Sequence, residues 1–249
     1  MRFYVPGLFI PFAVWLSHHA SATGPPVFLF TMFPTSSTEL RDQLITRMDN
    51  ISHWSCTNEP GVTKYALVIP RGSGGDNLTA YSIEQYDDDA TFNKHLAADT
   101  VSKTLFDWSR NTTNLWTKDP VVQNFTVIDG MNFVKPEFAK VSDPYLVVEA
   151  LTYMDGGVHH VLEHWEEEVA AARNESGTLV FGLYKDPLNQ NRLYSLAAYE
   201  SEAYLTNTHA KSPTALELEK HTKGMRTSLQ QTLLQKRGGF LFKGSPSCA

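Results

Sequence analysis

The sequence is poor in several features that would commit it to a functional class. It has two cysteines, Cys56 and Cys248, without the spacing of a zinc site, and a thiol in a terminal tail is a poor nucleophile. Basic charge is scarce: 21 Lys and Arg stand against 27 Asp and Glu, giving a net charge of −6. No basic run interleaves with aromatics, so the positive surface that displaces counterions from phosphates is missing and nucleic acid is excluded as a partner. The Gly-rich stretch Arg71 to Asp76 lacks the Gly-Lys-Ser/Thr ending of a phosphate cradle and reads as a hairpin loop. Neither a dinucleotide fingerprint nor a Gly-x-Ser-x-Gly elbow occurs, so no cofactor is implied. Past residue 22 no stretch approaches membrane-spanning length.

What is present begins with a leader. Met1-Arg2 precedes an apolar run from Phe3 to Leu16, and Ala20-Ser21-Ala22 has the small-x-small form of a cleavage site. The run falls short of the roughly 20 residues that span a bilayer, so residues 1–22 read as a signal peptide, with an uncleaved anchor as the alternative. Five N-glycosylation sequons follow, at Asn50, Asn77, Asn111, Asn124 and Asn174. Chance supplies one or two in a chain of this size; five behind a leader point to a secreted or secretory-lumen protein. In that oxidising setting Cys56 and Cys248 could pair and pin the tail to the first half, although their sequence separation alone does not establish the bond. A 42% hydrophobic content suffices for a packed core.

The mature chain contains an internal repeat. Glu59-Pro60-Gly61 precedes an apolar strand, and so does Glu175-Ser176-Gly177. A strand with tyrosines five residues apart comes next, Tyr81 and Tyr86 in one copy and Tyr194 and Tyr199 in the other. An acidic cluster and a short helix then lead to His95 and to His209. The first copy predicts strands at 27–32, 62–69, 78–86 and 125–128, a helix capped by Ser36 and Glu39, and helix over 88–108. The second predicts strands at 145–151, 178–184, 192–199 and 240–243, with helices over 157–173 and 202–236. Each copy is β-α-β-β-α-β, the ferredoxin-like arrangement, whose sheet has helices on one face only. The fold class is therefore α+β, with two tandem modules (23–130 and 145–249, joined by a linker at 131–144) packed sheet to sheet. Such an internal pseudo-dimer is expected to be monomeric.

The Glu-Pro-Gly turn, the Tyr-x-x-x-x-Tyr strand and the acidic-then-His helix resemble the antibiotic biosynthesis monooxygenase family of dimeric α+β barrels. The second copy is the closer match, through Phe181 to Pro187, Arg192-Leu193-Tyr194 and the helix ending at His209. The first has a longer hairpin loop and no Lys-Asp-Pro turn. The resemblance implies a monooxygenase of secondary metabolism that needs no cofactor and acts on a small phenolic or polycyclic aromatic. In such chemistry a base removes a proton, hydrogen bonds hold the oxyanion, and the electron-rich substrate reduces oxygen in a dry cavity. The same barrel supports cyclases, isomerases and dehydratases, and a third reading is a secreted binder of an apolar ligand.

His209 and His95, at matching places, are the candidate bases or oxyanion partners; the alternative is a structural contact between helix and sheet. Tyr194, Tyr199, Tyr81 and Tyr86 are the other catalytic candidates. A five-residue offset sends the two members of each pair to opposite sheet faces, so at most one faces the space between the sheets. The H-x-x-E-H string from His160 to His164 is read as a solvated helix face, because Val158, Val161, Leu162, Trp165 and Val169 form the apolar stripe; no metal site is expected.

Overall fold

The computed structural model describes residues 24–72, 76–244 and 248; the leader and the centre of the Gly-rich loop lie outside them. The first module runs β1 (Val27–Pro34), α1 (Thr38–Asn58), β2 (Val62–Pro70), β3 (Thr79–Tyr86) and α2 (Asp89–Ala97). It continues with a single turn α3 (Asp99–Val101), a π-helical stretch Ser102–Asp107, α4 (Trp108–Asn111) and β4 (Val121–Val134). A 3₁₀ turn, Pro136–Lys140, leads to the second module: β5 (Tyr145–Tyr153), α5 (Gly157–Asn174), β6 (Thr178–Lys185), β7 (Arg192–Tyr199), α6 (Glu202–Asn207), α7 (Pro213–Thr222) and β8 (Arg226–Phe240). No helix among the described residues is long and apolar enough to cross a membrane.

The eight strands close into a barrel in the order β1-β3-β2-β8-β5-β7-β6-β4. The two longest strands stitch the halves together. β4 pairs with β1 through 121–126 and with β6 through 126–127 and 132–134. β8 pairs with β5 through 226–234 and with β2 through 234–240. Closure removes the free sheet edges that two separate modules would expose. Four expectations are corrected here. The helix predicted to reach residue 236 ends at Thr222, and the strand placed at 240–243 begins at Arg226. The α1 N-cap is Ser37, whose hydroxyl accepts from the Leu40 amide at 3.1 Å, while Ser36 donates to the Asn114 carbonyl. Met131–Val134, expected in the linker, extend β4.

Alternation along the strands sorts the apolar residues into three cores. Phe28, Phe30, Ala66, Ile83, Phe125, Val148, Tyr184 and Leu196 fill the barrel. Leu44, Met48 and Ile51 of α1 pack on the outer face of the first half-sheet against Tyr65, Leu67 and Tyr86. Val158, Val161, Trp165 and Val169 of α5 do the same in the second half against Phe181, Leu183 and Tyr199.

Candidate functional site

The five-residue tyrosine offset resolves as the pleat requires. Tyr81 and Tyr194 belong to the barrel interior, whereas Tyr86 and Tyr199 lie under the helices. The interior is filled by stacked rings: Phe28 on Tyr184 at 4.0 Å between centroids, Phe125 on Tyr194 at 3.9 Å, and Phe30 on Tyr81 at 5.1 Å. The void left among them is about 10 Å³, room for a single water and not for an aromatic substrate.

Each candidate histidine sits on the helix side, beside the tyrosine that faces outward in its own module. His95 is buried, its ring 5.3 Å from Tyr86 and 5.6 Å from Tyr65, and its Nδ1 is 2.7 Å from the Glu59 carboxylate. Burial pushes the Glu59 carboxyl up, but its bonds to His95 and Ser55 and the His95 charge outweigh this and hold it below its ordinary value. His209 repeats the arrangement: Nδ1 is 2.9 Å from Glu175, and the ring is 4.9 Å from Tyr199. The repeated Glu-x-Gly turn is thus the partner of the repeated histidine. Burial, with nearby carboxylates adding to it, lifts the Tyr86 and Tyr199 phenols well above their ordinary range, so each serves only as a neutral hydroxyl.

The second module adds Glu168 from α5, which places Oε1 3.4 Å from His209 Nε2. This carboxyl is 1% exposed. Neither of its oxygens completes a hydrogen bond, although the Thr214 hydroxyl is close enough to lower its pKa. Burial dominates and raises it, and the Glu175 charge adds to the rise. A carboxyl group faces each ring nitrogen of His209, so neither nitrogen is left open toward a substrate. The geometry makes this cluster a brace joining the Glu175 turn, α5 and the segment after α6.

Space for a ligand lies elsewhere on the same module. A cleft of about 480 Å³ opens between the first turns of α5 and the β6–β7 hairpin, lined by residues that include Thr126, Val158, His159, Leu162, Lys185 and Asp186. The volume is in the range of small-molecule sites. Thr126 and Lys185 are brought together by β4–β6 pairing, and Val158 and Leu162 by one turn of α5. Asp186 is committed to the hairpin: Oδ1 accepts from the Leu188 amide at 2.8 Å and Oδ2 lies 3.5 Å from Arg192. Arg192 in turn donates to the Tyr194 hydroxyl at 3.3 Å, linking the cleft wall to the barrel interior. Sequence reasoning missed this site. Its signals were the Lys-Asp-Pro turn, read as a family mark, and His159, which adjoins the His160–His164 string.

That face is as expected for His160, which is exposed, while His164 stacks on His221 at 4.2 Å. Among the described residues no group of three or more His, Cys, Asp or Glu side chains is placed to hold a metal. Cys56 and Cys248 form a disulfide, with Cα atoms 5.4 Å apart. Asn50, Asn77, Asn111 and Asn174 are exposed, and Asn124 is half-buried on β4.

Residues 144–220 match the model of the antibiotic biosynthesis monooxygenase family. No curated protein matches the chain. Among solved structures, a proposed monooxygenase from Fusobacterium nucleatum superposes with a TM-score of 0.70 at 17% identity, over 87% of this chain and 97% of its own. A proposed monooxygenase from Lactobacillus acidophilus gives 0.69 at 15%, over 85% and 94%. An anthrone oxidase-like protein gives 0.55 at 13%, over 88% and 94%. These likenesses share the whole two-module barrel, and the sequence match lies in its second half. The similarity to the antibiotic biosynthesis monooxygenase family thus lies in the second module, at residues 144–220.

Proposed function

We propose that the second module is a cofactor-independent monooxygenase acting on a phenol-bearing aromatic of secondary metabolism, with its substrate in the α5–hairpin cleft. The observation that carries this reading is the cleft itself: a ligand-sized space on the family-matched module, while the barrel interior is filled. His159 is the proposed base and Lys185 the proposed partner of the oxyanion; both side chains line the cleft, and neither makes a side-chain hydrogen bond or ion pair among the described residues. For an anthrone-like methylene the balance is one O₂ in, one oxygen kept as the new carbonyl and one released as water with both methylene hydrogens. His209 is assigned a positioning role, and Tyr194 reaches the cleft only through Arg192 and Asp186.

The test is oxygen uptake by residues 23–249 with anthrones and quinols and no added cofactor. Saturable uptake is expected, falling by about 100-fold in His159→Ala, the scale of a lost general base. No uptake across the panel overturns the oxygenase. The filled interior also favours one alternative, a binder that takes its ligand at the surface and turns nothing over; a cyclase would proceed without oxygen. The leader, the sequons and the Cys56–Cys248 bond support action in the secretory lumen or outside the cell.

A further inference from the structure

Of the five sequons, one is built into the wall of the cleft. Thr126, the third residue of Asn124-Phe125-Thr126, lines it, and Asn124 stands two residues earlier on the same face of β4. Two residues of strand span about 7 Å, which sets the Asn124 side chain at the edge of the opening. The antiparallel register carried past Thr126–Lys185 brings Asn124 level with Pro187 in the hairpin. None of the other four sequons contributes to the lining: Asn50 and Asn111 lie in first-module helices, Asn77 in the first-module hairpin, and Asn174 at the opposite end of α5. Asn124 is half-buried, and its side chain makes no hydrogen bond among the described residues. Residues 121–125 pair with β1 alone, since β4–β6 pairing begins at Thr126, so one edge of the strand is open beside Asn124. The neighbouring rim is apolar, with Pro187 exposed and Leu188 80% exposed. A sugar chain on Asn124 therefore has room to leave the strand and an apolar rim to lie against.

We propose that Asn124 carries an N-linked oligosaccharide that stands over the cleft and admits ligands by size. The oligosaccharide is transferred from a polyisoprenyl diphosphate donor. The bond from its reducing-end C1 to the diphosphate oxygen breaks, C1 bonds to Asn124 Nδ2, and one amide proton is lost as the diphosphate departs. Small molecules pass beneath the flexible sugar chain, while macromolecules and bulky conjugates are kept from His159 and Lys185 in the lining. The inference rests on the secretory reading and on the cleft being where ligands enter, but it requires no turnover.

The experiment uses residues 23–249 secreted from a eukaryotic host. Glycopeptide mass spectrometry should find Asn124 occupied. Acylation of Lys185, an exposed amine in the lining, is then followed with two reagents of one chemistry and different width, succinimidyl acetate and a polyethylene glycol succinimidyl ester. The polymer should react at Lys185 about tenfold more slowly in the glycosylated protein than in Asn124→Gln, because restricted approach lowers encounter rates. The acetate should not distinguish the two proteins. Lys211, exposed and outside the lining, is the reference in every sample. Enzymatic deglycosylation of the wild type should reproduce Asn124→Gln, which frees the result from how well the variant folds. Asn174→Gln should leave Lys185 as slow as in the wild type. An unmodified Asn124 beside occupied sequons elsewhere, or equal polymer labelling with and without the glycan, overturns the proposal. If no sequon is occupied, the secretory reading falls with it. Size-selective labelling without oxygen uptake would overturn the oxygenase and leave the gate standing.

Discussion

Lys64 shows how one side chain can set a stability profile. It lies on β2, 9% exposed, and its only hydrogen bond among the described residues goes to the Gln85 side-chain oxygen at 2.5 Å; no carboxylate compensates it. Burial depresses its pKa to about 8 from an ordinary 10.5. Below pH 8 the lysine is charged in both folded and unfolded chains, and the folded state carries the desolvation cost. Between pH 8 and 10.5 the unfolded chain holds more protons, so stability rises with pH through this window. Lys64→Met should therefore stabilise the protein by about 2 kcal/mol at pH 7, with the gain shrinking by pH 9.5. Urea midpoints of both proteins at the two pH values measure this, and a gain that stays constant would refute it. The upper limit keeps the comparison below the ionisation of tyrosines in the unfolded chain. His209 gives the complementary lesson in legibility. Its repeat position marked it as special, but the second carboxyl group, which faces its other nitrogen at 3.4 Å, comes from Glu168 on α5, which no local pattern tied to it.

At the scale of elements, β8 is where sequence and structure part. Residues 223–236 are rich in Leu, Gln, Lys and Arg, good helix formers, and Gly224 alone marks the end of the preceding helix. Their extended form comes from pairing with β5 and then β2, contacts some 80 to 170 residues distant, so tertiary pairing overrides propensity. By contrast β1, β2, β3, β6 and β7 carried β-rich runs bounded by turn residues and were placed within a residue or two of where they lie. The module plan was legible because it repeats, whereas the cleft was not, because it joins β4 of one half to α5 and a hairpin of the other. The end of β8 also depends on one residue. Gly239 has φ +69, and a Cβ there would lie 1.9 Å from the Tyr65 carbonyl oxygen; its amide donates to Asp49 of α1 at 2.7 Å. Gly239→Ala combines left-handed strain with a backbone clash and should cost about 3 kcal/mol or more. A thermal midpoint within error of the wild type would show that β8 can shift to absorb the methyl group.

For the whole molecule, the question is what holds the last strand and tail against the first half of the chain. β8 crosses the seam and ends at Phe240, which packs in the first module's outer core beside Tyr65. Lys243 then donates to the carbonyls of Glu59 (2.5 Å) and Pro60 (3.2 Å), at the turn whose carboxylate binds His95. The disulfide of Cys248 to Cys56 fastens the same tail to α1, 192 residues away in sequence. By loop entropy alone a crosslink of that span stabilises by at most about 5 kcal/mol, and measured effects usually fall nearer 2–4. Cys248→Ser should accordingly lower the thermal midpoint by roughly 5–12 °C, and reductant should lower the wild type as much while leaving the variant unchanged. The bond and the exposed sequons depend on one compartment, since the cytosol would keep both thiols reduced and would add no glycans. Protein made through a secretory pathway should thus start near residue 23, lose mass on enzymatic deglycosylation, and melt at the higher temperature. Material made in a reducing cytosol should melt with Cys248→Ser. If the two preparations melt together, the tail is held by Phe240 and Lys243 without help from the crosslink, and the disulfide ceases to be a reason for placing the protein outside the cytosol.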